Sequence, residues 1–215
     1  MIDAGEAKAI GSLRNAQDTR KRILKAAQLE FARHGYGGGR VERICKSAKT
    51  NIRMIYHYFG NKDGLYLEVL EETYRGIRML EQELDLEGRE PVDSIRELVR
   101  LTFDFLANDP FFVRIIMNEN LMMGKTARKS KLIPGMTKPL ITILDVILRK
   151  GQRDGVFRRQ LTAIHLYITI LGLCLIHVSN RYTLSNMFQT DISEADWLAE
   201  RQQIVTDVIL SYLKS

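Results

Sequence analysis

Apolar residues in this chain recur three and four positions apart along most of its length. No stretch alternates apolar with polar residues strictly enough to make a half-buried strand. That pattern predicts an all-α fold. A chain of 215 residues suits one domain, or a small module joined to a larger one, and is long enough to bury a core without metal or disulfide support. Only 4 Pro and 15 Gly interrupt it, and the 45% hydrophobic content excludes a disordered or low-complexity protein. Cys45 and Cys174 lie far apart with no secretory signal before them, so both are expected free, in a reducing cytoplasmic compartment.

Residues 1–16 show no sustained apolar period and read as a flexible, mildly basic arm. From Asp18 or Thr19 a helix carries Ile23, Ala26, Ala27 and Phe31 on one face, with Gly35 ending it and Gly37–Gly39 making a turn. A short second helix aligns Val41, Ile44, Cys45 and Ala48, and Cys45 reads as core rather than as a redox switch. Lys49 and Thr50 turn the chain, and Asn51 caps a third helix that points Ile55 and Phe59 inward and leaves Ile52, Arg53, Tyr56 and His57 outside. Gly60 and Asn61 then separate it from a fourth helix running from Lys62 to about Leu80. Two short helices joined by a tight turn make a helix-turn-helix over residues 40–59, a unit that lays its second helix in the major groove of DNA.

Charge points the same way. Residues 1–62 hold 13 Lys/Arg against 5 Asp/Glu, a local excess of +8, while the remaining residues sum to −2. The overall +6 is therefore carried by the helix-turn-helix third, as expected of a part that meets phosphate.

The rest reads as helices opening at Pro91, at Pro110 behind the capping Asp109, at Pro139 after a basic loop over 124–138, at Thr162 and running to about Met187, and after a Ser193/Asp196 capping box. No catalytic constellation is recognisable, so no enzyme and no cofactor are expected. Gly124-Lys125-Thr126 lacks the glycine five positions earlier that a phosphate loop requires, since residue 119 is Glu. His165 and His177 fall 120° apart around a helix and make no metal pair. Leu161 to Val178 is nearly all apolar over 18 residues, but it contains two His and two Thr and is closely bracketed by Arg159 and Arg181. It reads as a helix buried on both sides rather than as a membrane span.

The string RVERICKSAKTNIRMIYHYFGNKDGLY at 40–66 resembles the DNA-binding signature of the TetR family of one-component transcriptional regulators. Ile55, the cluster Tyr56-His57-Tyr58, Phe59, Gly60-Asn61 and Lys62 follow its order, and the match spans about residues 17–77. Many members place His directly before the Phe, whereas here Tyr58 takes that place and His57 lies one earlier. ENLMMGKTARKSKLIPGM and HVSNRYTLSNMF are similar to one common subgroup of these regulators.

The resemblance implies a homodimeric repressor, released from a palindromic double-stranded DNA operator by a small-molecule effector. Residues 17–77 would bind DNA and 78–215 would bind effector and dimerise. Lys62 matches the family's phosphate-contacting lysine. Tyr56, His57 and Tyr58 suit phosphate and sugar contacts, with Tyr58 open to a core role. Ile52 offers apolar contact to a base, and Arg53 either a bidentate guanine pair or a phosphate contact. Arg40 and Lys49 are expected on the DNA backbone, beside Asn51 at the helix start. Phe103, Met117, Leu121, Tyr167 and Leu171, with His177 and Asn180 as polar contacts, are the effector-site candidates, and each also fits plain core. The competing reading is a helical protein-interaction module without specific DNA binding.

Overall fold

The computed structural model describes residues 4–84, 86, 88–158 and 161–214, with side chains from residue 15 onward. Among the described residues it is built of α-helices with no strand: α1 (Ala4–Gly38), α2 (Val41–Ser47), α3 (Ile52–Phe59), α4 (Lys62–Gln82), α5 (Pro91–Asn108), α6 (Pro110–Leu121), α7 (Ile133–Arg153), α8 (Ala163–Ser179), α9 (Arg181–Phe188) and α10 (Ala195–Lys214). The all-α expectation holds.

The chain divides into two compact units. One comprises the residues up to Thr73 with Arg114–Ser130, and the other Tyr74–Val113 with Lys131 onward. Residues 114–130 thus belong to the first compact unit, although in chain order they follow the module boundary expected near residue 77.

In the first unit, Ile23, Ala27, Phe31, Ile44, Ile55, Leu65 and Val69 are fully buried. The Phe31 and Tyr66 rings meet edge to face at 5.0 Å, and Tyr36 lies 5.1 Å from Tyr66. The arm expected over 1–16 is helical from Ala4, and residues 1–3 lie outside the described residues. Its Ala, Glu, Lys and Leu are strong helix formers, which explains why the helix propagates through it without an apolar stripe. Gly35, at φ 65° and ψ 176°, breaks α1 where the helix was expected to end, and a short further helical stretch runs on through Gly37 and Gly38, where a turn was expected. A Cβ on Gly35 would also lie 2.7 Å from Asn118 Oδ1.

In the second unit, α5 packs against α7, α8 and α10, and α8 against α7 and α10. Asp109 caps α6 through Oδ1, which accepts from the Phe111 and Phe112 amides at 3.0 and 2.9 Å. Three boundaries differ from expectation. Pro134, not Pro139, occupies the first turn of α7, and Pro139 falls inside the helix. The helix expected from Thr162 to Met187 breaks at Asn180, with α8 and α9 bent by 68°. There the Asn180 side chain donates to the Ser179 hydroxyl at 2.8 Å, the local competition with helix geometry that Asn offers. α10 begins at Ala195 with the Leu198 amide bonded to the Glu194 carbonyl, so Ser193 lies one residue before the cap position expected of it, and its hydroxyl donates to Asp191 at 2.5 Å.

Candidate nucleic-acid interface and effector site

Local capping builds α3. Asn51 Oδ1 accepts from the Met54 amide at 3.1 Å, which starts the helix, and Gly60 at φ 74° ends it. Asn61 Oδ1 then accepts from the Gly64 amide at 2.9 Å and starts α4. The junction is tight, because a Cβ on Gly64 would sit 2.1 Å from the Phe59 carbonyl oxygen. Lys49 at φ 50° supplies the turn between α2 and α3.

With Ile55 and Phe59 anchored inside, Ile52, Arg53, Tyr56 and His57 lie exposed along α3, and Tyr58 is half-buried, its ring 5.1 Å from that of His57. Arg40, Lys49 and Asn51 are exposed too. The Lys62 ammonium lies 4.6 Å from the centre of the Tyr36 ring. The Tyr36 hydroxyl donates to Asp63, and this bond holds the Asp63 carboxyl below its ordinary value and pushes Tyr36 up to about 12. Arg43 is committed within the protein: its Nε donates to Glu30 at 2.7 Å. Burial acts to raise Glu30, but Arg43, the Arg40 amide and His34 outweigh it and keep the carboxyl low. Cys45 is half-buried and free, its thiol pushed up chiefly by burial.

The effector candidates do not form one lining. Met117 and Leu121 belong to the first unit and are exposed, Leu121 at 81%. In the second unit Phe103 and His177 are stacked at 4.6 Å, with Trp197 5.9 Å from His177. His177 is buried with neither ring nitrogen hydrogen-bonded, and burial, helped by nearby Arg201, pulls it down to about 4. Leu171 is half-buried on α8, and Asn180 is spent on the α8 terminus.

Tyr167 belongs to a different cluster, one that sequence reading missed. Arg78 and Glu81 are 7% and 2% exposed. Arg78 Nη1 donates to Glu81 Oε2 at 2.5 Å and Nη2 to the Tyr167 hydroxyl at 2.6 Å, while that hydroxyl donates to Glu81 Oε1 at 3.2 Å. Burial pushes Glu81 up to about 7 against the pull of Arg78 and Tyr167. A usable signal existed: Tyr74, Ile77, Arg78 and Glu81 occupy i, i+3, i+4 and i+7, so the two charges sit on one helical stripe with Ile77.

Known proteins resemble this chain over both of its parts. Residues 23–69 match the family described as bacterial regulatory proteins, tetR family, and residues 91–209 the tetracyclin repressor-like C-terminal domain. The HTH-type transcriptional repressor NicS of Pseudomonas putida is 38% identical over 203 residues, covering 93% of this chain and 94% of that protein. The HTH-type transcriptional repressor SCO4008 of Streptomyces coelicolor is 36% identical over 113 residues, 52% of this chain and 54% of its own. Among solved structures, a transcriptional regulator, SCO4942 of S. coelicolor, superposes with TM-score 0.68 at 24% identity over 91% of this chain and 98% of its own. FadR of Bacillus subtilis, solved with stearoyl-CoA, gives 0.67 at 22% identity over 90% and 99%.

Proposed function

Since this chain belongs to the TetR family of DNA-binding transcriptional regulators, we propose that it works as a dimeric repressor whose hold on a two-fold operator is released by a small-molecule effector. The carrying observation is α3: two inward anchors, Ile55 and Phe59, turn Ile52, Arg53, Tyr56 and His57 outward on the basic third of the chain. In this reading Ile52 and Arg53 meet base edges. Arg40, Lys49, Asn51, Tyr56, His57, Tyr58 and Lys62 hold phosphate and sugar.

A second copy completes the reader. Ile164 and Ile168 on α8, and Ile204, Val208 and Tyr212 on α10, recur at four-residue steps and are 44–60% exposed. Two packed helices that each leave an apolar stripe uncovered suit a four-helix contact with their symmetry mates, and a two-fold dimer matches paired half-sites one helical turn apart. No single helix among the described residues is long and apolar enough to cross a membrane.

Release follows from linkage. An effector that binds better to a conformation with poor DNA affinity weakens DNA binding by the same factor by which DNA weakens effector binding. The test is titration of the purified protein against the DNA upstream of its own coding sequence over a salt series. Affinity is expected to fall steeply and linearly on logarithmic axes as counterions are released. Absent or salt-independent binding overturns the reading.

A further inference from the structure

We propose that Arg78, supported by Tyr167, is the anion-recognising end of the effector site and takes the carboxylate of a small organic acid whose apolar body lies against Met136, Pro139, Leu140 and Ile143. The proposal rests on the effector reading above and names the ligand chemistry it lacks.

Donor and acceptor matching carries it. Both Glu81 oxygens are engaged, and the Tyr167 hydroxyl both accepts and donates. Of the three guanidinium nitrogens, Nε alone makes no hydrogen bond, and it is buried. A guanidinium cannot shed its charge, and an unmet buried donor destabilises the fold. The cluster therefore wants an acceptor, which excludes an ammonium as the natural occupant. Nε and one terminal nitrogen form a two-pronged edge that matches the two oxygens of a carboxylate.

The surroundings fit. Arg78 and Glu81 line one narrow cleft with Met136, Pro139, Leu140 and Ile143, a mostly apolar wall around a few polar anchors. The cleft holds only about 10 Å³ of free space, so an acid larger than formate must open it. Pro139 stands among these four residues, and it has no N–H to bond the Gly135 carbonyl. The first turns of α7 are thus the wall least tied by its own backbone.

The test is calorimetric titration of the full-length protein with formate, hexanoate and benzoate, each against its carboxamide. At least one acid is expected to bind tenfold or more tighter than its amide. Arg78→Gln, verified as folded by circular dichroism, is expected to lose that preference. Glu81→Gln keeps the Nε–H and removes the competing charge, so it is expected to bind the acid at least threefold tighter; it keeps the proposal testable where Arg78→Gln does not fold. Equal binding of acids and amides, binding of neither, or an unchanged or weakened Glu81→Gln overturns the carboxylate assignment. The same compounds added to the protein on its upstream DNA, beside a panel of uncharged ligands, separate the two readings. Release by uncharged ligands alone leaves the effector reading standing and sinks this one, whereas release by no ligand of either class sinks both.

Discussion

On α3 the outward side chains include a charge and aromatic groups: Arg53 and His57 are exposed, and Tyr56 is 47% exposed. Around the second half of α4 the arrangement inverts, with Arg78 and Glu81 at 7% and 2%. Both regions use an arginine beside aromatic groups. On the surface, water solvates the guanidinium whatever its partner, so the side chain is available to a long polyanion at little cost to stability. In the interior the same charge has to be matched atom by atom, so the site is selective and its stability depends on its partners. A reader of DNA and a receptor for a small molecule thus differ in where each places its charge.

The largest test of that contrast is removal of one partner from each environment. Arg78→Met strips buried Glu81 of its counter-charge and of a hydrogen-bond donor and is expected to cost about 3–5 kcal/mol in urea unfolding. Arg96→Met, which breaks the exposed 2.5 Å pair with Asp93, should cost under about 1 kcal/mol. Comparable losses at the two sites would erase the distinction.

Gly64→Ala probes the rigidity behind the exposed face. The added methyl would press on the Phe59 carbonyl, so α3 has to shift. A loss of about 2–3 kcal/mol in stability is expected, together with loss of DNA binding greater than the unfolded fraction explains. Full DNA affinity in this variant would show that the α3–α4 junction is loose.

His177 sharpens the interior side through pH. Its native pKa is drawn down to about 4, while in the unfolded chain it takes a proton near its ordinary value of 6.5. Between those values the unfolded state binds more protons, so stability is full above about 6.5 and is lost as pH falls toward 4. His177→Phe removes the group and keeps an aromatic ring in the stack with Phe103 and Trp197. The drop in unfolding free energy between pH 7 and 4.5 should shrink by about 2 kcal/mol relative to the parent. An unchanged drop would mean that the ring is solvated in the folded protein.

The smallest effect separates two surface residues. Arg53→Ala is expected to cost about 1 kcal/mol or more on the preferred sequence and to relax sequence preference, if it reads a base. Lys62→Ala should weaken all sequences alike and reduce the salt slope by about one. Identical behaviour of the two variants would move Arg53 to the DNA backbone.

Legibility followed the same division. Asn51, Gly60 and Asn61 act on backbone groups within four residues of themselves, and their caps form as the sequence predicts. Ile55 and Phe59 follow from helical period alone. The effector candidates drawn from apolar helical positions fared differently: Leu121 is exposed, and Tyr167 bonds to residues 86 and 89 positions away. An apolar residue on a helix shows that it seeks cover, but its position says nothing about which distant helix provides it. The breaks at Asn180 and the inclusion of Pro139 within α7 escaped for a related reason, since flanking structure decides whether a weak helix signal starts, bends or stops the chain.

By itself, then, the sequence determined the helical class, the caps of α3 and α4, the outward face of the reader and the confinement of the net basic excess to the first third, because each depends on short-range backbone geometry or on composition. Tertiary structure decided that 114–130 joins the first unit and that Arg78, Glu81 and Tyr167 meet. It also decided that one guanidinium nitrogen is left buried without an acceptor, since the stripe that sets Arg78 beside Glu81 cannot name a partner almost ninety residues away, which depends on how helices pack.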